Sequence, residues 1–95
     1  MDDRLKSPAM DYLFKAILSL EDEDECCRFF EDICTVAELK SIAQRLDVAR
    51  KLDEGDSYTE ITDSTGASTA TISRVKRYLN YGADGYRVVL DRMKA

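Results

Sequence analysis

Apolar residues recur at three- and four-residue spacing through most of the chain, and nowhere do they alternate with polar ones for long enough to make a strand. Met10, Leu13, Phe14, Ile17 and Leu18 form a first stripe, which Tyr12, Ala16 and Leu20 widen beyond the needs of a one-sided surface helix. Ser7 before Pro8 is its opening, since proline is tolerated at the first helical position. The polar start, Met1 to Lys6, has little to fix it and is expected to be a frayed arm. Glu21 to Glu25 interrupt the pattern as a solvated acidic connector. They also place negative charge where a second helix begins and its dipole favours an anion. That helix presents Cys26, Phe29, Phe30 and Ile33 and runs to about Cys34.

Thr35 and Glu38 form a capping box that opens the longest helix, which continues to Glu54 and stops at Gly55. Leu39, Ile42, Ala43, Leu46 and Ala49 are its main stripe, with Val36, Val48 and Leu52 on the flank, so it is apolar on more than one side. A second capping box, Ser57 with Glu60, opens a short helix that Gly66 must close. Ser68 can cap the next helix, on which Ile72, Val75 and Leu79 share a face. Past Gly82 and Gly85, Tyr86, Val89, Leu90 and Met93 make a last amphipathic helix. The predicted fold is all-α, a bundle of about six helices in one domain. Residues 1–56 are the expected dimerisation helices and residues 82–95 a C-terminal helix.

Two short helices joined by a three-residue turn with glycine make a helix-turn-helix over residues 57–81. Ile61, Ala67, Ile72 and Val75 are where its helices must touch. Ser68, Thr69, Ala70, Ser73 and Arg74 then face outward together, a surface of small hydroxyl and methyl groups beside a cation that suits base edges in a major groove. Lys76 and Arg77 can lie over phosphates, which give register and salt-dependent affinity without sequence information.

Charge changes the picture by its distribution. The net charge is -5, but residues 1–56 hold 15 acids against 8 bases (-7), whereas residues 57–95 hold 4 acids against 6 bases (+2). The basic excess coincides with the helix-turn-helix, and so modest an excess predicts weak non-specific affinity that leaves more to fit. Cys26, Cys27 and Cys34 are odd in number, with no signal peptide and no long apolar segment, so free thiols packed in a core and a cytoplasmic location are expected. Without histidine, and with two of the cysteines adjacent, neither a zinc site nor a Cys-His nucleophile can be assembled in one chain with ordinary spacing, no metal is expected, and no glycine loop for phosphate is present. The chain is expected not to be an enzyme.

The run Gly66-Ala67, Ala70-Thr71-Ile72 and Ser73-Arg74 resembles the turn and recognition helix of the tryptophan repressor, and Thr35, Arg45 and Gly55 fall at matching places upstream. The resemblance covers roughly Asp32 to Tyr81 and looks closest to the TrpR-related YerC/YecD group of small bacterial regulators. It implies an intertwined homodimer bound to a double-stranded DNA operator as a regulator of transcription, in the cytoplasm and away from membranes. Carried over position by position, it gives Thr69, Ala70 and Ser73 at base edges, with Thr59 and Thr62 on the preceding helix; with Ser68, Thr71, Lys76 and Arg77 these are the candidate DNA-binding residues. Thr59 and Thr62 stand where the repressor has basic residues, so a different operator is expected. The alternative, which the acidic balance favours, is a helical dimerisation or adaptor module that keeps the turn without binding DNA.

By the same resemblance Thr35, Arg45 and Arg74 match residues that surround tryptophan, two guanidinium groups sandwiching the indole and pairing with its carboxylate. Each has another use: Thr35 as a helix cap, Arg45 in solvent beside Asp47, Arg74 on phosphate. Val75 replaces the repressor's glycine and Tyr78 a serine near the ligand, both adding bulk. A small co-ligand or none is therefore expected, rather than tryptophan.

Overall fold

A computed structural model describes all 95 residues as six α-helices and no strand. They are α1 (Pro8–Leu18), α2 (Glu23–Ile33), α3 (Val36–Asp53), α4 (Tyr58–Thr65), α5 (Thr69–Tyr81) and α6 (Gly85–Lys94). No helix is long and apolar enough to cross a membrane. The chain divides into two compact units, Met1–Leu39 and Lys40–Ala95, and α3 runs unbroken across the division.

In the first unit the helix boundaries follow from local chemistry. The Ser7 hydroxyl accepts the Met10 N–H with Pro8 at the first helical position, and the Asp22 carboxylate accepts the Glu25 N–H to open α2. Thr35 and Glu38 exchange hydrogen bonds in the expected box at 2.9 and 3.1 Å. The Thr35 amide, then its hydroxyl, hold the Glu38 carboxyl below the usual carboxylate range. Two readings of this unit change. The first residues are not a frayed arm but a 3-10 turn, Asp3–Leu5, with Asp2 accepting from Arg4. The three thiols are free, but none is in a core: Cys27 is exposed and Cys26 and Cys34 are half-buried. The reason is general to the unit, in which no side chain is fully buried and Leu18 (83% exposed) and Tyr12 (74%) stand in solvent.

The second unit holds the core. Val48, Ala49, Ile61, Ala67, Ile72, Val75, Leu79 and Leu90 are buried together, with Leu52, Tyr58 and Tyr86 packed against them. Burying a side chain the size of isoleucine contributes about 2 kcal/mol, and the predicted α4–α5 contact residues Ile61, Ala67, Ile72 and Val75 all lie in this core. On α3 the inward side is only part of the main stripe, Ala49, together with Val48 of the flank. Val48 and Ala49 are buried, while Ile42 and Leu46 remain near 40% exposed (43% and 42%) and line shallow grooves with α6. Asp53, near the end of α3, is held by Arg87 and Lys94 of α6, each at 2.6 Å. Lys94 and Arg87 together keep its carboxyl below the usual range.

Candidate nucleic-acid interface

The candidate interface, or head, is α4, the turn and α5. At its start Ser57 and Glu60 satisfy each other's free amides, the Ser57 hydroxyl accepting from the Glu60 N–H at 3.2 Å. At its end Gly66 takes the left-handed conformation, φ 74°, and its N–H donates to the Thr62 carbonyl at 2.9 Å. Thr65 ties off the turn twice, its hydroxyl donating to the Ile61 carbonyl and accepting the Ala67 N–H. The Gln44 side chain of α3 donates to the Thr65 carbonyl at 3.2 Å, so the scaffold helix holds the turn directly.

Of the predicted DNA-contacting residues, Thr59, Thr69, Ala70, Ser73, Lys76 and Arg77 are exposed, and Arg74 with them. Thr62 is half-buried. Ser68 and Thr71 are engaged in the helix cap: the Ser68 hydroxyl accepts the Thr71 N–H and donates to the Thr71 hydroxyl, both at 3.1 Å. Helix α5 has no acidic residue, and Arg74, Lys76 and Arg77 form no ion pair, whereas most cations elsewhere in the chain are neutralised. The positive potential of this helix is therefore uncompensated along its own exposed face.

One residue of the head that the sequence pattern passed over is Tyr58, the first of α4. Its hydroxyl lies 3.3 Å from the Ser73 hydroxyl, and its ring lies 5.8 Å beneath the Lys76 ammonium. Fifteen positions separate Tyr58 from Ser73, so helical spacing holds no trace of the contact; an aromatic ring beside a cap is the one feature that hints at it.

The residues matched to a co-ligand are differently placed. Thr35 is in the first unit, where it caps α3. Arg45 is exposed, as expected, but the ion-pair partner of Asp47 is Arg50; Arg45 also lines a groove of about 450 Å³ with Ile42, Leu46, Tyr78, Tyr86 and Val89. Arg74 is not among the residues of that groove. Val75, in the position of the repressor's glycine, is buried in the core.

The family model described as Trp repressor protein matches residues 8–94. An uncharacterized Bacillus subtilis protein, YerC, is 60% identical over 92 residues, a match spanning 97% of this chain and 88% of the relative. The crystal structure of a candidate Trp repressor from Staphylococcus aureus superposes with a TM-score of 0.94 at 52% identity, covering 99% of this chain and 95% of that one. A TrpR-like protein from Eubacterium eligens gives a TM-score of 0.95 at 54% identity, over 98% and 96% of the two chains.

Proposed function

Since the chain belongs to the Trp repressor protein family, whose members are regulators and not enzymes, we propose that it is a sequence-specific DNA-binding repressor of transcription acting as a homodimer. The observation that carries this reading is α5 itself, an exposed helix with three unpaired cations and no acid, fixed by a buried inner face of Ile72, Val75 and Leu79. In the groove Thr69, Ala70 and Ser73 meet base edges, Ser68 and Thr71 hold the helix start that approaches them, and Lys76, Arg77 and Arg74 neutralise phosphates. Thr59 and Thr62 lie on the preceding helix, where neutral hydroxyls contribute hydrogen bonds without charge. A two-fold dimer reads a pseudo-palindrome with half-sites about 34 Å apart.

Any co-ligand is smaller than tryptophan on this reading. Val75 stands in place of the repressor's glycine and is buried in the core next to Arg74 in sequence, and Tyr78, in place of its serine, lines the groove with Arg45. Saturable calorimetric binding of tryptophan that also tightened a DNA complex would overturn that preference. The function itself is tested by selecting binding sites from random duplexes and following the mobility shift of the best one across salt concentrations. Enrichment of a palindromic site with steep salt dependence is expected. A dimer that enriches no sequence and shifts no duplex at low salt is instead the adaptor module that the acidic balance would suit.

A further inference from the structure

We infer that Tyr58 is a positioning residue that sets the hydrogen-bonding direction of Ser73, and thereby makes Ser73 a donor toward the DNA. The inference rests on the DNA-binding reading above. A serine hydroxyl is at once donor and acceptor and rotates freely, so a bare serine on a recognition helix discriminates poorly between bases that offer lone pairs and bases that offer N–H groups. Here the Ser73 hydroxyl is not bare, because the Tyr58 hydroxyl lies 3.3 Å away. A phenol is a stronger acid than an aliphatic alcohol and so the better donor. With Tyr58 donating to the Ser73 oxygen, the Ser73 hydrogen is directed outward.

Base edges offering an acceptor in the major groove, such as guanine O6 and N7 or thymine O4, are then favoured over the cytosine amino group. The Tyr58 ring is itself fixed, being half-buried and packed against the core at the start of a capped helix. Its face serves a second purpose: the Lys76 ammonium sits 5.8 Å from the ring centre, one turn beyond Ser73. Two parts of one side chain thus hold two groups with different tasks, the hydroxyl the base-reading serine and the ring face the phosphate-binding lysine.

The division makes the test specific. Tyr58→Phe keeps the ring and loses the hydroxyl. At the one base step read by Ser73 its preference for an acceptor-bearing base is expected to fall by between about two- and tenfold, the worth of one neutral hydrogen bond. The salt slope and the affinity averaged over sequences should stay as in the wild type, because Lys76 keeps its ring. In a Ser73→Ala background Tyr58→Phe should do nothing further to that preference, the non-additivity expected of a contact pair. Equal weakening of every sequence by Tyr58→Phe would overturn the inference, as would an undiminished effect in the Ser73→Ala background, which would mean that Tyr58 reads the base itself. A wild-type protein that binds no duplex would remove the underlying reading too, and that result is visible before any variant is made.

Discussion

Gly66 and Gly82 end neighbouring helices for different physical reasons, and their alanine variants should separate. At Gly66 the backbone is left-handed, φ 74°, but an added methyl group would meet nothing within 4 Å. Gly66→Ala should therefore cost only the conformational penalty, about 1 kcal/mol, and leave the turn in place. At Gly82 the added methyl would strike the Tyr78 carbonyl oxygen, a backbone atom with no freedom to yield. Gly82→Ala is expected to be the more damaging in thermal melts, unwinding the last turn of α5. Asp53 supplies the pH dependence at this scale. Lys94 and Arg87 lower its folded-state titration, so its contribution is present above the ordinary carboxylate range and fades as pH falls below about 4 toward the lowered value. An Asp53→Asn variant should be less stable at neutral pH and lose less of its stability on acidification, as read by denaturant midpoints at several pH values.

The helices themselves were largely legible in the sequence, because their ends are written in local chemistry: Ser7 with Pro8, Thr35 with Glu38, Ser57 with Glu60, Gly66 and Ser68 all act where spacing puts them. Which face each helix gives to its own chain was less so. Periodicity shows that α3 is apolar on two sides, but only packing decides that Val48 and Ala49 go inward and Ile42 and Leu46 do not. The bonds from Asp53 to Arg87 and Lys94 and from Tyr58 to Ser73 join separate helices, so no local pattern encodes them. The DNA-binding face proposed for α5 divides by chemistry along its length. Thr69→Ala or Ser73→Ala should alter preference at individual base steps by roughly 1 to 3 kcal/mol, while Lys76→Ala or Arg77→Ala should weaken all sequences alike and flatten the salt slope. Identical behaviour of the two classes in competition assays would mean that the base-reading and phosphate faces are wrongly assigned.

For the whole molecule the telling contrast is between a second unit with a closed core and a first unit with no buried side chain. Tyr12, Leu18, Val36, Ile42, Leu46 and Met93 are apolar side chains left exposed, and the homodimer proposed above would cover such surface with a second copy. Sedimentation at micromolar concentration should show twice the 10.8 kDa chain mass, and dilution should lower the melting temperature. Persistence of a 10.8 kDa species with an unchanged melt would exclude the dimer. The bare first unit has a further consequence in the currency of abundance. Where order depends on meeting a copy, well below the dissociation constant the competent form grows with the square of the number of chains present. Halving expression would then quarter it, so the activity of the proposed dimer would fall more steeply than the number of chains.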